Sequence, residues 1–88
     1  MKKVIVYYSE HCKDCGPLKA ALDEAGIKYA PVDISSGMFP LKQFLKYRDH
    51  RPEFDPIKEK GQVGVPCIVV NHGEQIMFSV PEDLDILR

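Results

Sequence analysis

The chain has 88 residues, 44% hydrophobic and 28% charged, with a net charge of −1. That balance belongs to an ordinary soluble globular protein and excludes a disordered tail, and the near-neutral charge gives no reason to expect nucleic acid or an anionic membrane as partner. The length supports one domain, residues 1–88, with one modest core, and no apolar run approaches the ~20 residues of a bilayer span.

Met1-Lys2-Lys3 carries the charge of a signal peptide, but the apolar run behind it, Val4-Ile5-Val6-Tyr7-Tyr8, falls short of the roughly 7–15 residues such a segment needs. Three cysteines, two of them in Cys12-Lys13-Asp14-Cys15, argue for reactive thiols in a reducing compartment rather than a secreted disulfide scaffold. A cytoplasmic location is expected, and nothing in the composition points beyond a monomer.

Val4 to Tyr8 is β-branched and aromatic without alternation, the pattern of a central strand buried on both faces. After the cysteines, Leu18, Ala21, Leu22 and Ala25 fall on one stripe of an amphipathic helix, and Gly26 supplies a left-handed stop. A helix beginning just after Cys12 would meet Pro17, which has no N–H to return to Lys13, so a looser first turn or a kink is expected there. Ile27 to Ile34 reads as a second strand, restricted to an edge by Pro31. Ser35-Ser36-Gly37 is a turn. Met38, Leu41, Phe44, Leu45 and Arg48 then recur at helical spacing, with core packing expected for the methionine and the aromatic residues.

Asp49-His50-Arg51-Pro52 breaks that helix, and Pro52 to Gly61 predicts a short helical piece around Phe54, Ile57 and Lys58, with Pro56 in its first turn. The charges that alternate through residues 48–60 read as a solvated face. Val65-Pro66 leads into a wholly apolar strand, Cys67-Ile68-Val69-Val70. Asn71-His72-Gly73-Glu74 is a hairpin turn, and Gln75-Ile76-Met77-Phe78 returns. Ser79-Val80-Pro81-Glu82 has capping-box spacing before a short terminal helix with Leu84, Ile86 and Leu87. The order is β-α-β-α(α)-β-β-α: an α/β chain with a parallel βαβ unit followed by an antiparallel hairpin.

The chemistry concentrates in the CxxC. Two thiols at a strand–helix joint are placed for redox work, because the backbone N–H groups and dipole of a helix N-terminus favour a thiolate. Cys12 is the expected nucleophile. Lys13 pushes toward the thiolate, whereas Asp14 opposes it and keeps Cys15, the resolving thiol, protonated. His11 either stabilises that thiolate or is an exposed loop histidine. Counting His11, Cys12, Cys15 and Cys67 reaches the four ligands of a zinc site, but adjacent His-Cys is poor ligand spacing, so no metal site is assigned. Cys67 is either a third thiol near the pair or a small core residue, the more common fate of a free cysteine.

These features in this order resemble the glutaredoxins and glutaredoxin-like redoxins of the thioredoxin-fold superfamily. Three stretches carry the resemblance, which spans essentially the whole chain. Residues 7–15 stand where the family has strand, loop and CxxC. Lys60-Gly61-Gln62-Val63-Gly64-Val65-Pro66 looks like the family's Thr-Gly-x-x-Thr-Val-Pro. Asn71-x-Gly73 followed by Pro81-Glu82-Asp83-Leu84 resembles its turn and acidic pair. The chain departs from the pattern at Lys13-Asp14, where Pro-Tyr is usual, at Ser9 or Glu10 in place of a basic residue, at Ser79-Val80 in place of Gly-Gly, and in a longer segment from Met38 to Gln62.

The resemblance implies a thioredoxin-like, glutaredoxin-type fold: a four-stranded mixed sheet with helices on both faces. It implies a cis Pro66 facing the CxxC, with Val65 N–H and C=O pairing a bound peptide, against the plainer reading of a trans proline opening an edge strand. Glu82 and Asp83 would accept a γ-glutamyl amino group, against a plainer reading as helix-capping acids. The implied activity is dithiol–disulfide exchange on protein or low-molecular-weight disulfides, with no bound cofactor. Electrons would come from glutathione, another small thiol or a flavoprotein reductase. The alternative is a metal or iron–sulfur binding module, or a redox-sensing adaptor without turnover.

Overall fold

The computed structural model describes residues 3–88; Met1 and Lys2 of the N-terminal reading lie outside the described residues. Strand β1, Val4–Tyr8, is followed by helix α1, Cys15–Glu24, edge strand β2, Ala30–Asp33, and helix α2, Met38–Arg48. A 3-10 turn at Pro52–Phe54 runs into helix α3, Asp55–Glu59, before strands β3, Cys67–Val70, and β4, Gln75–Met77. The last element is a 3-10 turn, Leu84–Leu87, not the α-helix expected there.

The sheet order is β2-β1-β3-β4, with β1 parallel to β2 and antiparallel to β3, and β4 antiparallel to β3. The two continuous apolar runs are thus the two central strands. Pro31 sits on edge strand β2 opposite Val6, where its missing N–H costs little. Residues 27–29 do not join that strand.

Side chains alternate across the central strands and divide the core. Val4, Val6, Ile68 and Val70 face α1, packing with Leu18, Leu22, Ile27 and Leu87. Tyr7, Cys67 and Val69 face the other way, packing with Ile34, Phe44 and Phe54 under α2 and α3. There the rings form a chain: Tyr7 lies 5.4 Å from Phe44, Phe44 5.7 Å from Phe54, and Phe54 4.9 Å from Phe78. The last two contacts are edge-on, the geometry the ring quadrupole favours.

Helix α1 begins at Cys15, three residues later than Cys12, and this removes the expected kink. Pro17 falls in the first turn, where no residue has an intrahelical acceptor. Gly26, at φ 71°, ends the helix with Ile27 N–H donating to Leu22 O at 3.0 Å.

Met38 is the clearest departure from the helical stripe: it is 67% exposed and Phe39 73% exposed. Both lie in the first turn of α2, whereas Phe44, a turn and a half further on, is fully buried. The charged run is not simply a solvated face either. Arg48 donates to the carbonyls of Val63 and Gln62 at 2.7 Å each, and Arg51 donates to Gly73 O at 2.6 Å and pairs with Glu53 at 2.8 Å. The expected Ser79 box does not form; Asp83 caps the last turn by accepting from Asp85 N–H at 3.0 Å.

Candidate active site

Strand β1 delivers the chain to a tight turn in which Cys12 N–H donates to Ser9 O at 3.0 Å. This turn is tied to the β2–α2 corner. His11 N–H donates to Ser9 Oγ at 3.2 Å, Ser9 Oγ donates to Ser35 Oγ at 3.3 Å, and Ser35 donates to Asp33 Oδ1 through both its N–H, at 2.8 Å, and its hydroxyl, at 2.5 Å. These donors hold the Asp33 carboxyl below the usual carboxylate range.

The three cysteines are free thiols in three different settings. Cys12 is half-buried, and its Sγ lies 3.5 Å from Val65 O, in range for a thiol donor. Cys15 opens α1 and is 2% exposed. Burial, then the hydrogen-bonded Cys12 thiol and the nearby Asp14 charge, push its pKa up to about 11, against a lowering hydrogen bond at Ser9. Cys67, one residue past Pro66, faces away from the pair into the aromatic core, and burial pushes its thiol up to about 12.

The Val65–Pro66 bond is cis. It follows Gly64, whose φ of 106° disfavours any side chain and where a Cβ would lie 3.0 Å from the Phe54 ring. The Gly64 backbone can therefore rest against the aromatic core. The structure thus brings Cys12, Cys15, Val65 and Pro66 together from two parts of the chain. Val65 N–H has no hydrogen-bond partner among the described residues.

Two grooves meet at this point. One, of about 600 Å³, runs past Asp14, Pro17, Val65, Pro66, Phe78 and Val80. The other, of about 430 Å³, is lined by Cys12 itself together with Ile34, Leu41, Val63 and Val65. Val63 and Val65 line both. Lys13 is exposed and lines neither groove, and the same is true of Glu82 and Asp83. Asp83 is engaged as a cap, and the larger groove stops at Val80. The His11 ring points to solvent, 3.7 Å from Glu10. Among the described residues, no group of three or more His, Cys, Asp or Glu side chains is arranged to hold a metal ion.

Arg48 carries no mark of a site residue in the sequence. It fastens two successive carbonyls of the loop that carries Val63 and Val65. Backbone acceptors leave no mark in a sequence, and an arginine among alternating charges gives no sign of which carbonyl it will meet. The Ser9–Ser35–Asp33 tie is equally silent, since it joins residues 26 positions apart.

A strand, a turn and a helix that present two thiols across from a cis proline, on a β2-β1-β3-β4 mixed sheet, define a thioredoxin-like dithiol protein. The comparisons with known proteins agree. The glutaredoxin family profile matches residues 4–75. An uncharacterized protein of Haemophilus influenzae is 38% identical over 77 residues, covering 88% of this chain and 90% of its own. Among solved structures, the glutaredoxin from Methanosarcina mazei superposes with a TM-score of 0.65 at 22% identity, over 91% of this chain and 70% of that one. The holo form of glutaredoxin C1 from a poplar hybrid, Populus tremula x tremuloides, superposes with a TM-score of 0.60 at 17% identity, over 86% and 64%. The chain belongs to the glutaredoxin family, whose general activity is of the thiol–disulfide oxidoreductase type.

Proposed function

We propose that the protein reduces disulfides of proteins or small molecules through a mixed disulfide at Cys12 that Cys15 resolves. One observation carries this reading: the two thiols are unequal, Cys12 half-buried beside Val65 O and Cys15 sealed beneath it with its proton held. The Cys12 thiolate attacks one sulfur of the substrate, forming one S–S bond and releasing the other sulfur as a thiolate. Cys15 then loses its proton and attacks Cys12, forming the Cys12–Cys15 disulfide and releasing the second sulfur. Two electrons pass to the substrate, and the two protons of the dithiol end on the two released thiols.

Val65 N–H and C=O pair with the substrate backbone as an added strand would. Glutathione, another low-molecular-weight thiol or a flavoprotein reductase returns the two electrons, in a reducing compartment such as the cytoplasm. No bound cofactor enters the cycle, and the protein acts as a monomer. Lys13 contributes positive charge at the rim. Glu82 and Asp83 contribute an acidic edge beyond Val80, where a γ-glutamyl amine would be met.

The test is disulfide reduction by wild type and two variants. Cys12→Ser is expected to abolish turnover. Cys15→Ser is expected to accumulate a covalent adduct with the substrate, seen as added mass that a reductant removes. Full turnover by Cys12→Ser, or stoichiometric metal in the purified protein without Cys12-dependent reduction, would overturn the exchange reading in favour of a thiol-based metal or iron–sulfur binding module.

A further inference from the structure

Cys12 lies in the wall of the smaller groove. Whatever carries the disulfide that Cys12 attacks must therefore place the atoms flanking its sulfur in or beside that groove. Its remaining walls are Ile34, Leu41, Val63 and Val65, with the hydroxyls of Ser9 and Ser35 at one end. Those hydroxyls are already engaged with each other and with the Asp33 carboxylate. No lysine or arginine lines the groove, and its one candidate cation, His11, sits beside Glu10. Behind the Ser35 hydroxyl stands the negative charge of Asp33. An anion placed here loses water and meets no fixed positive charge in return.

An apolar side chain meets the opposite conditions. The groove's volume of about 430 Å³ exceeds what one side chain fills. Val63, one of its walls, is 53% exposed, and Met38, on the same helix as Leu41, is 67% exposed. Met38 stands three residues before Leu41 on α2, and side chains at that spacing are neighbours on one helix face. Glutathione carries a carboxylate on each side of its cysteine, so either orientation across Val65 aims one of them at this groove.

We propose that this groove is a specificity subsite for the residue next to the attacked cysteine, and that it selects polypeptide disulfides with an aliphatic neighbour over glutathione disulfide. This deepens the exchange reading of the previous section and rests on it. The occupant is a segment of a protein substrate, crossing Val65 with one flank in the apolar groove.

The experiment uses the fully reduced protein in single turnover, without added reductant. The three disulfides are the blocked homodimers of Leu-Cys-Leu and Gly-Cys-Gly, and glutathione disulfide. Each rate of thiol release is normalised to that of the same disulfide with a free dithiol. The leucyl peptide is expected to react about tenfold faster than the glycyl one, the scale of withdrawing roughly half a leucine side chain from water, with glutathione disulfide slowest. Leu41→Gln removes part of the wall, and Ser35→Lys places a cation at the exposed rim; both are expected to lower the leucyl-to-glycyl ratio, and Ser35→Lys to raise the rate with glutathione disulfide.

Equal rates for the two peptides in the wild type would overturn the subsite and leave the exchange reading intact. A leucyl preference unchanged in both variants would also overturn it, assigning the preference to the larger groove. Failure to release thiol from any of the three disulfides would instead remove the exchange reading itself.

Discussion

The two faces of the sheet are packed in different materials. Under α1 the core is almost wholly aliphatic, with Val4, Val6, Leu18, Leu22, Ile68 and Val70 at its centre. Under α2 and α3 it is built on rings, with Phe44, Phe54 and Tyr7 around Val69 and Cys67. The difference matters because the two halves of the site belong to different faces. Cys15 opens α1, the helix packed on the aliphatic layer through Leu18 and Leu22, and Cys12 lies in the turn just before it. The Val63–Pro66 loop rests on the aromatic layer through Val65, Ile57 and the Phe54 ring. Branched aliphatic side chains seat a helix closely on the sheet. Rings reach further and can carry a loop that has no regular hydrogen-bonding frame of its own. Changes on the aliphatic face should therefore disturb the thiols, and changes on the aromatic face should disturb what is bound to them.

The largest effect is expected from truncating the rings. Phe54→Ala should cost about 4 kcal/mol in urea unfolding, against about 3 kcal/mol for Leu22→Ala, within the ranges for buried phenylalanine and leucine. At a denaturant-free temperature where both remain folded, Phe54→Ala should also raise KM for a disulfide substrate while Leu22→Ala does not. Equal KM values would break the division of labour between the faces.

A smaller effect isolates the loop from the core. Arg48→Met removes both donors to Gln62 O and Val63 O. It should raise KM about fivefold with kcat little changed, the signature of lost uniform binding, for about 1 kcal/mol of stability. Arg48→Lys should recover part of this, since one ammonium can meet one carbonyl well but not two in a fixed fork. If kcat falls with KM unchanged, the arginine does not act through the groove.

The smallest effect lies in the alkaline range. Cys67 is raised from 9.0 to about 12 by burial. Its neutral form is favoured in the folded chain, so stability is full below pH 9 and declines as pH rises toward 12, where the unfolded chain gives up the proton first. Cys67→Ala should flatten that decline in denaturant titrations at successive pH values, with disulfide reduction at neutral pH unchanged. A change in neutral activity would place Cys67 in the chemistry after all.

How far the sequence carries can be judged residue by residue. The runs at Val4–Tyr8 and Cys67–Val70 identify the two central strands because only strands covered on both faces can be apolar throughout. Pro31 and Gly26 mark an edge and a helix end for equally local reasons. Local signals fail where position in the whole decides. Met38 has the right period to be core, yet its turn of α2 projects beyond the buried layer. Ser79 has the right spacing for a cap, but the turn it would cap starts later and Asp83 is better placed. The nearness of Cys12 to Val65 joins residues 53 apart, and the resemblance, rather than any pattern in the residues, anticipated it. The grooves were beyond reach, since their walls come from four separate segments.

The ring chain has one more use. The protein contains no tryptophan and four tyrosines, and two of these, Tyr7 and Tyr47, lie 6.1 Å apart within the aromatic layer. Asymmetrically packed rings dominate near-ultraviolet circular dichroism, and without indole there is no stronger chromophore to mask them. An experimenter can thus follow the packing of these rings during ligand titration or heating with no label introduced, with Tyr29 on the aliphatic face adding to the signal.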